Sequence, residues 1–173
     1  LSATGPRPHR SRKELIDGYQ AIGAIVQPHL KKLFGRLPAA PFEVRTIEEF
    51  REQAAPSQYW SPAPDGTRPG IFYVNARGIE NNPRRASEPL FIHEAIPGHH
   101  FQIALQMEKT DLPRFQRFGG YSAFSEGCAL YAESLGGELG LYTDMEQNFS
   151  RLNSELFRAA RLVVDVGLHR QGW

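Results

Sequence analysis

The segment Phe91-Ile92-His93-Glu94-Ala95-Ile96-Pro97-Gly98-His99-His100 puts three of the chain's 6 histidines beside a carboxylate in an apolar setting. Such groups are costly to bury unless they are paired or bound to a metal, so the cluster asks for a common partner. A helix carrying His-Glu-x-x-His sets two imidazoles four residues apart on one face, about 6 Å from each other, where they share a tetrahedral ion. Position 97 is Pro, and that spacing fails here. On a straight helix His99 lies about 9 Å along the axis and roughly 120° around it from His93, too far to share one ion. Pro97 removes a backbone donor and clashes with the preceding turn, while Gly98 tolerates unusual dihedrals. The pair is therefore expected to bulge the helix by about two residues and return His99 to the place of the usual second histidine. His100 stays a rival ligand, with an axial gap of about 10.5 Å to close. The simpler alternative is a helix entrance whose histidines cap carbonyls or fill a polar core.

A catalytic zinc holds three protein ligands and keeps one position open. In Phe124-Ser125-Glu126-Gly127-Cys128-Ala129-Leu130-Tyr131-Ala132-Glu133, two acids stand seven residues apart on one face of an otherwise apolar helix. Glu126 reads as the third ligand and Glu133 as the acceptor for a histidine N–H. Two exposed acids on a surface helix are the alternative. Further on, Arg161, Asp165 and His169 recur every four residues. His169 is placed to donate to an oxyanion, with Asp165 fixing its ring and Arg161 holding that carboxylate. Ordinary (i, i+4) charge pairs on a solvated face would give the same pattern.

Outward from these motifs, Leu15, Tyr19, Ile22, Val26, Leu30 and Leu33 predict an amphipathic helix over Lys13 to Phe34, with Pro28 expected to kink or end it. Between Pro38 and Pro89 lie eight of the 13 prolines. Phe42 to Thr46 and Gly70 to Asn75 read as strands, Pro64 to Thr67 as a turn and Thr46 to Gln53 as a short helix, giving a small antiparallel sheet of two or three strands. After Pro89 the chain reads as helical, with breaks near 110–113, 119–120 and 136–143. Its last helix is expected to bury Leu152, Leu156, Ala159, Val163 and Val166.

The fold class is thus mainly α with a small antiparallel sheet, in one domain over 1–173. Its parts are a scaffold helix (1–37), a Pro-rich sheet region (38–88) and a helical metal-site region (89–173). Lys plus Arg number 20 against 19 acids, so no global field favours nucleic acid or an anionic membrane. Cys128 is the only cysteine, which excludes an internal disulfide and a Cys-rich zinc finger. No apolar run approaches the roughly 20 residues of a membrane span, and the N-terminal residues do not make a signal peptide. A soluble domain is expected, with cytoplasm and export both open. The missing initial Met and the stop at Gln171-Gly172-Trp173 suggest a piece of a larger protein.

Three ordered motifs, His-Glu-Ala-Ile-Pro-Gly-His-His-Phe-Gln, Glu-Gly-Cys-Ala-Leu-Tyr-Ala-Glu and Arg-Leu-Val-Val-Asp-Val-Gly-Leu-His-Arg-Gln-Gly-Trp, resemble the bacterial family called domain of unknown function 885. That family looks like a distant relative of the gluzincin metallopeptidases, such as thimet oligopeptidase and Taq-type carboxypeptidase. The resemblance runs from about Arg12 to Trp173 and implies a zincin-like catalytic core. It maps one zinc ion per chain onto His93, His99 and Glu126, and the general base onto Glu94. It also implies that the strand bearing Tyr73 and Asn75 is the sheet edge that receives a peptide backbone. In the mechanism expected here His169, with Tyr131, steadies the oxyanion. Cys128 stands where a Trp is expected after Glu126-Gly127. The reading is a zinc-dependent hydrolase of peptide bonds that uses a metal-activated water. Its rivals are a metal-dependent hydrolase of other amides or esters and a non-catalytic helical binding module. Cobalt or manganese would suit the same ligands.

Overall fold

A computed structural model describes residues 8–81 and 84–173; the N-terminal residues read above for a signal, up to Arg7, lie outside it. Helix α1 (Arg12–Leu33) starts where Ser11 accepts the Glu14 N–H, and it buries Leu15, Tyr19, Ile22, Val26 and Leu30. The predicted stripe holds except at its end, where Leu33 is exposed. Pro28 does not end α1, because the helix runs five residues past it. Pro28 and Ala24 both lie on the solvent face, so the carbonyl that loses its donor is open to water.

Strands β1 (Phe42–Thr46), β2 (Gln58–Trp60) and β3 (Gly70–Val74) form a three-stranded sheet in the order β1-β3-β2. The sheet is mixed rather than antiparallel. β3 pairs antiparallel with β2 through the turn that Gly66 closes at φ 75°, but runs parallel to β1 from Phe42↔Gly70 to Thr46↔Val74. Burial gives the reason. β3 is covered at Gly70, Ile71, Phe72 and Val74, whereas β1 alternates exposed with half-buried residues, so the most apolar strand takes the doubly paired centre. The short helix expected over 46–53 shrinks to a 3-10 turn at Glu49–Arg51.

The rest is helical: α2 (Glu88–Glu94), α3 (His99–Glu108), α4 (Arg114–Phe118), α5 (Ser122–Ser134) and α6 (Met145–Arg170). The core lies between α1, β3 and α2, where Tyr19, Phe72 and Phe91 meet with ring centroids 5.1 to 6.5 Å apart.

α6 departs most from expectation. Leu152, Leu156, Ala159, Val163 and Val166 are exposed, with Leu156 at 69% and Val163 at 61%. The helix is held at its start by polar ties instead. Gln147 donates to the Ala86 carbonyl at 3.0 Å and accepts the Glu88 N–H at 3.0 Å, and Arg85 grips Asp144 and Glu146. An amphipathic pattern marks a face able to be covered, and no described element covers this one. No described helix is long and apolar enough to cross a membrane.

Phe72→Ala, at the centre of the core, is expected to cost about 3–5 kcal/mol, whereas Val163→Ser on the open face of α6 changes stability by no more than about 0.5 kcal/mol. Urea unfolding midpoints of the two variants check both values.

Candidate metal centre

The helix carrying the histidines is broken rather than bulged. α2, capped by Ser87, ends at Ala95; a cis Ile96-Pro97 bond and Gly98 follow, and α3 begins at His99. Gly98 is required by close approach, since a Cβ there would run into the carbonyl oxygens of Ile92 and His93. The break does what the expected bulge was to do. It turns His99 back onto His93, with ring centroids 4.7 Å apart at 83°.

His99 and His100 then face different ways. His100 is buried, its Nε2 bonded to the Ala40 carbonyl at 3.0 Å and its Nδ1 to the Tyr59 hydroxyl at 2.9 Å. A carbonyl only accepts, so Nε2 carries the proton and Nδ1 takes the hydroxyl hydrogen; no ring nitrogen is left for an ion. Gly70 makes room for this pair, because a Cβ there would sit 2.6 Å from the hydroxyl and 2.7 Å from Nδ1.

α5 faces the histidines with both of its acids. Glu133, buried, accepts from His93 Nδ1 at 2.6 Å, which leaves the His93 Nε2 lone pair pointing the other way. Two turns earlier Glu126 places Oε2 3.3 Å from His93 Nε2 and Oε1 3.5 Å from His99 Nε2. All three groups present a donor atom within 4.8 Å of the other two, the one such grouping of metal-ligating side chains among the described residues. Donors at two corners of a tetrahedral zinc site, each about 2.0–2.1 Å from the ion, stand about 3.4 Å apart. These residues therefore fit a small cation.

The electrostatics agree. Burial pushes the Glu94 carboxyl up to about 7, against the opposing pulls of His93, the Tyr59 backbone N–H and Arg158. Burial and then the neighbouring His93 push His99 down to about 4, so its imidazole is neutral with a free lone pair. Glu94, Glu126 and Glu133 face a single guanidinium, that of Arg158. With all three acids ionised, two negative charges remain, the charge that a dication neutralises.

Arg158 escaped the sequence reading. Its guanidinium lies 3.4 Å from Glu126 Oε2, 3.4 Å from His93 Nδ1 and 4.0 Å from Glu133. It stands one helical turn before Arg161, so carrying the Arg161, Asp165, His169 line back by three residues would have found it. Those three residues themselves do not join the cluster. His169 and Asp165 form an exposed pair at 3.6 Å, and Arg161 lies over the Phe157 ring at 5.9 Å, because α6 meets the site only near Arg158. Tyr131, 63% exposed, lines a cavity of about 520 Å³ between α3 and α5. Cys128 lines the same cavity, where a Trp would fill more of the space.

The strand expected to receive substrate is not an edge strand. β3 is paired on both sides and has no free edge. Tyr73 packs on Trp60 at 5.3 Å, and the Asn75 amide donates to the Glu52 and Ala55 carbonyls, each at 2.8 Å. The edge that borders the site is the outer side of β2, whose Tyr59 backbone N–H points at Glu94.

The raised Glu94 carboxyl predicts a pH signature in chelator-treated protein. The folded state holds the Glu94 proton up to about pH 7, while the unfolded chain releases it near 4.5, so its contribution to stability falls as pH rises across that window. His99 and His100, both lowered to about 4, act with the opposite sign between about 4 and 6.5. The difference between wild type and Glu94→Gln isolates the carboxyl. By urea unfolding, that difference moves steadily against wild type from pH 4.5 to 7 and then levels off.

Among solved structures, the chain is similar to one described as "the putative lipoprotein from Colwellia psychrerythraea", with 40% identity and a TM-score of 0.89. The match covers 98% of this chain and 30% of that one, so the chain spans under a third of its relative's length. None of the curated proteins compared with it matches. A family model described as "Bacterial protein of unknown function (DUF885)" matches residues 2–173, and the chain belongs to that family.

Proposed function

We propose that this chain is the catalytic core of a zinc-dependent hydrolase of peptide bonds, a distant relative of the gluzincin peptidases. The observation that carries the reading is the approach of His93 Nε2 and His99 Nε2 to the two oxygens of the Glu126 carboxylate, at 3.3 and 3.5 Å, with all three groups offering a donor atom within 4.8 Å of the others. His93, His99 and Glu126 would hold the zinc, one per chain. Bound there, zinc supplies Lewis-acid polarisation of a water and of a substrate carbonyl.

The chain's own residues supply the rest. Glu133 fixes the His93 tautomer by accepting its Nδ1–H. Glu94, buried beside the cluster, takes the proton of the attacking water and returns it to the leaving amine. A peptide added as a further strand on the outer edge of β2 passes directly along Glu94, and this favours a peptide over a small ester or amide. Arg158 reaches the centre from α6, the helix on which His169 was expected to donate to the oxyanion.

Protein purified without chelators and then offered zinc is expected to carry about one zinc per chain by plasma mass spectrometry. His99→Ala loses that metal and His100→Ala keeps it; a wild type without zinc sinks the reading. In the full-length protein, Glu94→Gln is expected to keep the metal and lower peptide cleavage by about 10²- to 10⁴-fold. Cleavage of a fluorogenic peptide library at the wild-type rate by that variant would remove Glu94 from the mechanism.

A further inference from the structure

We propose that Gln102 is the positioning residue for His99, its Oε1 accepting the Nδ1–H that His99 carries when Nε2 is a metal ligand. The inference rests on the metal-centre reading above and adds a residue to it.

The two histidines of the centre are served unequally. His93 has its Nδ1 bonded to Glu133 at 2.6 Å. His99 has its Nδ1 buried and without any hydrogen-bond partner. Only one other buried side-chain nitrogen or oxygen among the described residues is left without a partner, and it is Gln102 Oε1. The two orphans are complementary. An imidazole that uses Nε2 as a ligand must hold its proton on Nδ1 and becomes a donor there, whereas an amide oxygen only accepts. They are also neighbours, since residues three apart on a helix share a face, and both lie in α3 (His99–Glu108).

Neither carboxylate of α5 is available to His99 Nδ1. Glu126 meets it at Nε2, and Glu133 is taken by His93. Gln102 is held only loosely by what it does touch, a bond from its Nε2 to the Phe124 carbonyl at 3.4 Å. That carbonyl belongs to α5 two residues before Glu126, so the amide lies between the helix of one ligand and the helix of another. A short rotation of the amide about its last torsion, which is soft, changes which atom faces His99.

The test uses the whole chain, with zinc affinity read by competition against a chromogenic chelator and with ¹⁵N-histidine spectra of the zinc-loaded protein. Gln102→Leu keeps the size and removes the acceptor, and is expected to bind zinc about 10- to 100-fold more weakly. Gln102→Glu restores an acceptor and brings affinity back to the wild-type range. In wild type the His99 Nδ1–H is expected as a slowly exchanging, downfield proton that disappears in Gln102→Leu while the His93 Nδ1–H stays, a selectivity that loss of packing alone would not give. Wild-type affinity in Gln102→Leu with the His99 resonance intact overturns the proposal and leaves the metal centre standing. No zinc uptake by wild type overturns both. Should Gln102→Leu fail to fold, the wild-type spectrum decides, since rapid exchange of the His99 Nδ1–H there overturns the proposal by itself.

Discussion

The hydrogen bond between His93 Nδ1 and the Glu133 carboxylate, 2.6 Å long and buried at both ends, is the constraint on which the rest of the centre depends. A carboxylate at that depth needs a donor, and α5 (Ser122–Ser134) can lie against α2 (Glu88–Glu94) only with Glu133 turned toward His93. Once that face of α5 is set, Glu126, two turns earlier, falls on the open side of the same imidazole. The bond also assigns the tautomer, so the free lone pair of His93 points to Glu126 and His99 instead of into the core. Arg158 closes the group from α6 and offsets part of the charge.

The break at Pro97-Gly98 gives two adjacent histidines unrelated tasks. Consecutive residues on a helix point about 100° apart. With His99 turned toward α5, His100 is directed to the sheet, where it bonds the Tyr59 hydroxyl and the Ala40 carbonyl and packs its ring on Phe42 at 4.8 Å. One histidine thereby joins the cluster and the next ties the helices carrying His93 and His99 to β1 and β2. β2 in turn presents the Tyr59 backbone to Glu94, so the sheet shapes the site without contributing a ligand.

The apolar patterns of the chain were legible to different depths. α1, β1 and β3 stand where periodicity placed them, within a residue at most boundaries, because each carries a full apolar face that has only one way to be buried. The parallel pairing of β1 with β3 was not legible, since alternation describes the faces of a strand and says nothing of its neighbours. The stripe on α6 was legible as a pattern and misread as burial, because a hydrophobic face becomes core only when another element lies on it. Cys128 illustrates the same limit: its apolar surroundings are clear in sequence, while the cavity it borders arises from how α3 and α5 diverge.

What the sequence by itself determined is the chemistry of the centre. His93, Glu94, His99, Glu126 and Glu133 can be picked out because buried imidazoles and carboxylates in apolar helices need partners, and helical spacing limits which ones face each other. Tertiary structure decided how those groups are shared: His99 rather than His100 beside His93, Arg158 rather than His169 reaching the cluster from α6, the edge of β2 rather than β3 beside Glu94. Each of these choices depends on a helix break, a packing angle or a strand order, and such properties arise only when separate segments compete for the same space.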